Sequence, residues 1–136
     1  MNSQLHKKLH AYNLQEILIV LAIIGILLLL AMPKLMPLIA KTKSLEAQTQ
    51  LKFIHNMQTL HSYSSSRFSD SFDDIDFEAP KTVKQGGSAN YSYEIVSANA
   101  EGFKVIATAV VDFDRDGIFN VWEIDENGIP KQTIKD

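Results

Sequence analysis

Residues 11–33 read AYNLQEILIVLAIIGILLLLAMP, and this stretch decides the architecture of the chain. The sixteen residues from Ile17 to Met32 are apolar without a polar interruption, and the pattern resumes at Leu35 and continues to Ala40. At about 1.5 Å per residue, a helix from Ile17 to Ala40 is roughly 36 Å long, which is enough to cross a bilayer with some tilt. We therefore predict one membrane-spanning helix.

The charges before this segment predict its orientation. Lys7 and Lys8 precede the apolar run, so the positive-inside rule keeps the N-terminus in the cytoplasm and places the rest of the chain on the far side. The alternative is a cleaved secretory signal peptide, in which a shorter apolar region precedes a small-x-small cleavage site. Residues 27–37, LLLLAMPKLMP, contain no such site and lead directly into further helical pattern. The sequence therefore favours a retained anchor.

Three residues within the apolar pattern are expected to shape the helix. Pro33 and Pro37 each remove an i→i−4 hydrogen bond and crowd the preceding turn, so each is expected to kink or loosen the helix. Gly25 is a weak point in the helix, and its lack of a side chain allows another helix to approach closely.

The helical pattern continues beyond the membrane-length segment. From Ala40 to Tyr63, apolar residues recur at spacings of three and four while charged and amide side chains fill the other faces. This periodicity predicts an amphipathic helix that is continuous with the first segment. The apolar positions are Ala47, Leu51, Ile54, Met57 and Leu60.

The second half of the chain changes to the pattern of a β-sheet. A serine-rich loop follows Tyr63, and Phe72, Ile75 and Phe77 are expected to hold it against the domain. Residues 91–96, 102–113 and 118–124 are rich in β-branched and aromatic residues and are separated by short turns, which predicts three antiparallel strands, with 129–134 as a possible fourth. Because one sheet face needs a cover, we predict an α+β fold in which the amphipathic half of the long helix packs on a small antiparallel sheet.

The composition excludes several classes of function. The chain has 136 residues, a formal net charge of −3 and no cysteine, so it has room for one domain and can form neither a disulfide nor a thiolate metal site. It has no basic face of the kind that binds nucleic acid. No nucleophile-base-acid group, phosphate-binding loop or paired-carboxylate arrangement is recognisable, so we do not expect an enzyme.

The start of the chain resembles the prepilin signature of the type IV pilin superfamily, which includes type IV pili and the pseudopili of type II secretion. In that signature a short basic leader ends in a small residue, an aromatic residue follows, and a glutamate occupies the fifth mature position. Counting from Tyr12, Glu16 is the fifth residue and Pro33 the twenty-second, where the family has a helix-loosening proline. Ala11 stands where glycine is usual, and Tyr12 where phenylalanine is usual.

The resemblance implies a division of the chain into three parts with a pilin-like fold. Residues 1–11 would be a leader that a membrane prepilin peptidase removes between Ala11 and Tyr12, followed by N-methylation of Tyr12. Residues 12–40 would be the transmembrane and filament-core helix, and residues 41–136 the periplasmic head. The implied partners are the inner membrane, the pilus or secretion assembly platform, and further copies of the chain in a helical filament outside the inner membrane.

The resemblance also gives a role to Glu16, which a membrane-length segment tolerates only at a cost. From the residues alone, Glu16 could simply lie at the interface among lipid headgroups. In a filament, the α-amine of Tyr12 in an adjacent subunit would neutralise it, and Gly25 and Pro33 would shape the helix for packing. Type IV pilus and type II pseudopilus both remain open. The alternative to either filament is a monomeric, single-pass, calcium-binding module outside the membrane.

Residues 112–123, DFDRDGIFNVWE, fit the calcium-binding loop of the EF-hand. Clustered carboxylates repel one another without a cation, so we predict Ca²⁺ as a cofactor, and type II major pseudopilins carry a calcium site in this region. The flanking residues, however, indicate strands rather than helices, so the alternative is a β-hairpin with a DRDG turn. The predicted ligands are Asp112, Asp114, Asp116, the Ile118 carbonyl, Asn120 and Glu123.

Overall fold

The computed structural model describes residues 11–136 and contains one long helix and a four-stranded sheet. Helix α1 begins at Leu14 and ends at Ser65, and it is a single 52-residue α-helix through both prolines. Two short 3₁₀ helices precede the sheet. The 3₁₀ helices are Asp73–Ile75 and Val83–Gln85. The strands are β1 Tyr91–Ala98, β2 Phe103–Ala109, β3 Val121–Asp125 and β4 Lys131–Ile134.

The chain divides into two compact units, and the first ends at Leu35. In its described part, residues 11–35, every side chain is exposed, including all of the apolar ones. By length and composition α1 is able to cross a membrane, and its most apolar window has a mean hydropathy of 2.8. A helix that is apolar on all faces and buries none of them within its own chain needs lipid or other helices around it.

The second unit, Met36–Asp136, is a helix packed on a sheet. One face of α1 is buried there because its apolar residues recur at spacings of three, four and seven. Leu51 and Ile54 are fully buried in a cluster with Val105 of β2 and Ile124 of β3. The rest of this cluster is Ala47, Ile75, Phe77, Tyr91, Phe103, Ala107 and Ala109. The predicted α+β architecture is therefore confirmed.

The sheet is an antiparallel meander with strand order β1-β2-β3-β4. On β2, Phe103 and Val105 are buried whereas Lys104 between them is exposed, which is the alternation expected of a sheet covered on one face. Across the sheet Val105 pairs with Ile124 and so aligns the buried faces of two strands. The possible fourth strand is present as β4, and it pairs with β3.

The segment between α1 and β1 is held against the head as the sequence predicted. Ile75 and Phe77 lie in the core cluster, and Phe72 packs against it. A reciprocal pair of hydrogen bonds fixes the start of this segment, because the Gln58 side chain donates to the Ser69 carbonyl at 2.7 Å and accepts the Ser69 N–H at 2.9 Å. The buried amide of Gln58 is therefore satisfied.

Two details differ from the predicted pattern. Leu60 was expected on the buried face of the helix but is 60% exposed, because the buried face of α1 ends at Gln58. The second strand was expected to reach residue 113 and the third to begin at 118, whereas β2 ends at Ala109 and β3 begins at Val121. Residues 110–120 form a longer loop than the tight DRDG hairpin, and their aspartate side chains bond to the loop backbone instead of allowing a strand ladder.

Candidate functional site

The first turn of α1 gives Glu16 a local partner. The Glu16 N–H donates to the Asn13 carbonyl at 2.9 Å, and the Glu16 carboxylate accepts the Asn13 N–H through Oε2 at 3.0 Å. This second bond is the glutamate half of a capping box, and a negative charge in the first turn is also favourable at the positive end of the helix dipole. The sequence analysis did not predict this helix-capping role of Glu16. The signal for it is present in the sequence, because Asn13 and Glu16 form an Asn-x-x-Glu pattern before an apolar run.

The predicted processing residues lie just before the helix. Ala11 and Tyr12 are outside α1 and exposed, and Tyr12 is 81% exposed. Of the predicted leader, residues 1–10 lie outside the described part of the chain. Between Ala11 and Asn13 the backbone has no regular secondary structure.

The structure places Gly25 and Pro33 within one continuous helix. A Cβ atom built on Gly25 would meet no other atom within 4 Å, so packing inside the described chain gives no reason for a glycine at that position. Any close approach there would involve another molecule. At Pro33 the helix is not interrupted, which confirms the predicted long helix.

A stripe of exposed apolar side chains runs along α1 in the second unit. We call it the outer stripe and define it as Leu38, Leu45, Phe53, Leu60 and Tyr63, which are between 45% and 81% exposed. Their spacings of three, seven and eight residues place them on one helical face. That face is opposite the one that packs on the sheet, and it also carries the exposed polar residues Thr42, Thr49 and Asn56, so large apolar side chains alternate with polar ones along it.

We call residues 112–118 the acidic loop, and the side chain of Asp112 organises it by accepting two hydrogen bonds from its backbone. Its Oδ1 accepts the Arg115 N–H at 2.6 Å and its Oδ2 accepts the Gly117 N–H at 2.7 Å. Arg115 and Gly117 both have positive φ values, of 67° and 88°, and the glycine makes this second left-handed position accessible at low cost. Asp114 accepts the Asp116 N–H, and Asp116 accepts the Ile118 N–H, so each aspartate also orders the loop.

Three of the predicted metal ligands converge with a fourth carboxylate from elsewhere in the chain. One oxygen each of Asp112, Asp114, Asp116 and Asp136 lies within 4.8 Å of the others. Oxygen ligands bind Ca²⁺ at about 2.3–2.6 Å, so two ligands of one ion are at most about 5 Å apart. The donor set and its spread therefore fit a hard divalent cation.

The side chains of Asn120 and Glu123, two further predicted ligands, bond to other residues. Asn120 is 1% exposed; its amide donates to Ser44 Oγ at 3.1 Å, and its oxygen accepts from Gln132 at 3.3 Å. Glu123 lies on β3 and accepts from Lys104 Nζ at 3.3 Å. In an EF-hand the twelfth residue returns to the ion on a helix, whereas here β3 carries Glu123 away from the loop.

Asp136 is the ligand candidate that sequence spacing missed. It follows β4, and its Oδ2 accepts the Phe113 N–H at 2.9 Å inside the acidic loop. Its Oδ1 is buried and has no hydrogen-bond partner among residues 11–136. No local motif could have identified Asp136, because only the pairing of β4 with β3 brings it to the loop.

Comparison with known proteins gives one informative match. No family model matches the chain. A type IV major pilin protein, PilA of Myxococcus xanthus strain DK1622, is 32% identical over 84 residues. The chain has a distant similarity to a type IV major pilin. The aligned region is 62% of this chain and 38% of the PilA chain, so the comparison spans less than two fifths of that relative.

The similarity and the fold point in the same direction. A long apolar helix that continues onto an antiparallel sheet is a pilin-like α+β architecture. The predicted resemblance to type IV pilins is thereby confirmed at the level of a distant similarity.

Buried tyrosines connect the acidic loop to the core of the head. Burial raises the pKa of Tyr91, the hydrogen bond with Ser44 lowers it, and the charges of Glu46 and Asp136 raise it further. The Tyr91 ring centroid lies 6.0 Å from that of Phe113, which stands between Asp112 and Asp114 in the acidic loop. The loop is therefore anchored to the core by an aromatic contact as well as by backbone hydrogen bonds.

Proposed function

We propose that this protein is a structural, non-enzymatic subunit of a type IV pilus or of a type II secretion pseudopilus. It would be inserted in the bacterial inner membrane and would then pack through α1 into a helical filament. The observation that carries the proposal is the outer stripe, because it extends the apolar surface of α1 well beyond the length that a membrane anchor needs.

The lengths make this point quantitative. A transmembrane helix needs about 20 apolar residues, whereas α1 has 52 residues and still exposes large apolar side chains on its outer face as far as Tyr63. A monomeric anchored head would leave Leu45, Phe53 and Leu60 in water, and several large apolar side chains aligned on one exposed face indicate an interaction surface. Other copies of α1, with the same apolar surface, are the partner that such a stripe fits.

The proposed assembly uses the start of the helix as well. Prepilin peptidase would cut between Ala11 and Tyr12, remove the leader 1–11 and leave residues 12–40 as the membrane and filament-core segment and 41–136 as the periplasmic head. The new α-amine of Tyr12 would pair with Glu16 of a neighbouring subunit. Before assembly, the bond from the Asn13 N–H and the helix dipole stabilise the Glu16 charge at low cost.

The head is proposed to bind Ca²⁺ through its acidic loop. Asp112, Asp114 and Asp116 would supply carboxylate oxygens, and the Ile118 carbonyl and water would complete the six to eight ligands that calcium takes. The convergence of four carboxylates supports the proposal, since without a cation they would repel one another. A calcium concentration of a hundred times Kd would stabilise the head by about 2.7 kcal/mol, so thermal unfolding with CaCl₂ and with EGTA tests the site.

The filament proposal is tested by removing the outer stripe without touching the core. In cells that carry the assembly machinery, Leu45→Ser with Leu60→Ser, both at exposed positions of the outer stripe, is expected to abolish filaments that can be sheared from the surface and seen by electron microscopy. The matched control is Val96→Ser, because Val96 is 53% exposed but lies on β1. Normal filaments from the double variant, with the protein still in membranes, would contradict the proposal.

Glu16 provides a second test at a different position. Glu16→Ala is expected to leave membrane insertion intact, because removing a charge eases entry into the bilayer, and to abolish or disorder filaments. If the variant assembles normally, the proposed pairing with the Tyr12 amine is wrong. N-terminal sequencing of the purified protein tests processing, since a chain that still begins at Met1 would contradict cleavage before Tyr12.

The second candidate function is a monomeric calcium-binding module anchored outside the membrane. The aspartate cluster favours it, because metal binding by the head does not require a filament. Shearing separates the two functions: filaments in the supernatant support the first, whereas calcium binding by a protein that stays in the membrane fraction supports the second.

A further inference from the structure

Strand β4 is the least buried element of the sheet. All four of its residues, Lys131–Ile134, are exposed, and its pairing with β3 shifts register between Val121 and Trp122. An edge strand that buries no side chain is held mainly by hydrogen bonds, which water competes for, so it is a segment of low local stability. Its side-chain contacts are polar: Lys131 with Asp125, Gln132 with Asn120, and Thr133 with the Val121 carbonyl.

A cavity lies beneath the same strand. It has a volume of about 390 Å³ and separates the end of β4 from α1. Ser44 and Gln48 line it on the helix side, and Gln132, Lys135 and Asp136 line it on the strand side. At this end of the sheet, β4 is therefore not closely packed on the helix, and it depends on its pairing with β3 and on its polar contacts.

Asp136 is in a position to supply a further interaction that holds β4. Its Oδ2 already accepts the Phe113 N–H, while its Oδ1 is buried and has no partner within the described chain. A buried carboxylate oxygen without a donor is costly, and the carboxylate of Asp136 also stands beside three more carboxylates. The unpaired oxygen points to a cation as the missing partner, independently of the loop itself.

We infer that Asp136 is a cation ligand and that cation binding latches β4 onto the sheet. This inference rests on the proposed calcium site and adds a ligand and a consequence to it. With the ion bound, Asp136 ties the end of β4 to the loop that follows β2. Without the ion, repulsion among the four carboxylates favours release of Asp136, and β3 then becomes the exposed edge of the sheet.

Thermodynamic reciprocity makes the latch measurable from both sides. If docking of Asp136 strengthens calcium binding by some factor, calcium must favour docking of β4 by the same factor. Loss of even an outer-shell partner of a metal ligand costs about 10–100-fold in affinity, so loss of Asp136 as a ligand is expected to cost at least about tenfold. The amides of β4 should then exchange at least about tenfold more slowly with calcium than without it.

The experiment compares hydrogen exchange and calcium affinity in the full chain in detergent micelles. Exchange of peptides covering residues 131–134 is followed by mass spectrometry in CaCl₂ and in EGTA, and calcium affinity is measured by calorimetry. Asp136→Asn keeps an acceptor for the Phe113 N–H but removes the charge, and it should lower affinity and abolish the calcium-dependent protection of β4. Asp70→Asn, an exposed carboxylate outside the cluster, should change neither. Exchange in β2 reports whether each variant is folded.

The possible outcomes separate the latch from the metal site. Slower β4 exchange in calcium, lost in folded Asp136→Asn, supports the latch. Calcium binding with equal β4 exchange in CaCl₂ and EGTA overturns the latch and leaves the proposed calcium site intact, as does an unchanged affinity of Asp136→Asn. No calcium binding by the wild-type chain overturns both, and leaves the filament proposal to its own test. If Asp136→Asn unfolds β2, the latch is tested by the wild-type protein alone: slower β4 exchange in CaCl₂ than in EGTA supports it, and equal exchange overturns it.

Discussion

The two parts of α1 share one backbone but differ in what their side chains meet. From Leu14 to Leu35 every side chain is exposed, although most are apolar. From Met36 to Ser65 one face is buried against the sheet, and Leu51 and Ile54 are completely inaccessible. Backbone hydrogen bonds hold the helix together in both parts. The side chains determine whether a helix face packs on the sheet or stays exposed.

The difference shows that much of the apolar surface of α1 finds no packing partner within the described chain. The first part is apolar all round and requires lipid or other helices on every side. The second part packs on the sheet through one face and exposes the outer stripe on the opposite face. The following substitutions compare buried and exposed positions of the same residue type or the same element.

The largest effect is expected from comparing two leucines on opposite faces of α1. Leu51 is fully buried and Leu45 is 57% exposed. Leu51→Ala should destabilise the head by about 2–5 kcal/mol, because it removes buried methyl groups and leaves a cavity. Leu45→Ala should change stability by less than about 0.5 kcal/mol and should instead impair filament formation. Urea unfolding followed by circular dichroism measures both. Equal destabilisation would break the distinction between the two faces.

A smaller effect is expected where polar groups tie the inner face of α1 to the sheet. Asn120 bonds to Ser44 of the helix and to Gln132 of β4. Asn120→Ala leaves buried polar groups without their partners and should cost about 1–3 kcal/mol in the same unfolding assay. Asn56→Ala, an exposed asparagine on α1, is the control and should stay within about 0.5 kcal/mol. A neutral Asn120→Ala would mean that apolar packing alone joins helix and sheet.

Replacing Tyr93 is expected to change the free energy of unfolding still less at neutral pH, and to change its pH dependence above pH 10. Its hydroxyl is buried with no partner in the described part of the chain, so Tyr93→Phe should be neutral or stabilising by up to about 1 kcal/mol.

Burial raises the pKa of Tyr93, and the charges of Glu46 and Tyr91 raise it further. The unfolded tyrosine ionises near pH 10 while the folded one stays protonated, so the stability it contributes is present below pH 10 and is lost as pH rises above it. Tyr93→Phe should reduce this alkaline loss of stability. An identical pH profile for both proteins would contradict the assignment.

The smallest effect is expected on the solvent face of the sheet. Lys104 and Glu123 form an ion pair at 3.3 Å, with 46% and 25% of their side chains exposed. An exposed pair contributes little, so Lys104→Ala should cost only about 0.2–1 kcal/mol and less at high salt. The neighbouring Val105→Ala, on the buried face of the same strand, should cost more. A reversed order would mean that the outer face of the sheet is also covered in solution.

The sequence predicted the elements better than it predicted the site. Hydrophobic periodicity was sufficient for the long helix and the antiparallel strands, because burial imposes a period on each element. The packing of Ile75 and Phe77 was predicted from their apolar side chains within a loop that has no period. The calcium template correctly grouped Asp112, Asp114 and Asp116. It failed to include Asp136, because a template describes residues that are close in the chain, and β4 brings Asp136 to the loop from a separate strand.

By itself, the sequence determined what each segment is: an apolar helix of membrane length with Glu16 in its first turn, an amphipathic continuation and a small antiparallel sheet. These follow from local hydrogen bonding and from the spacing of apolar residues. Only the tertiary structure decided which side chains meet. It directed Asn120 to the helix and Glu123 to Lys104, left the outer stripe uncovered, and placed Asp136 beside the acidic loop, because strand pairing joins residues that no local pattern relates.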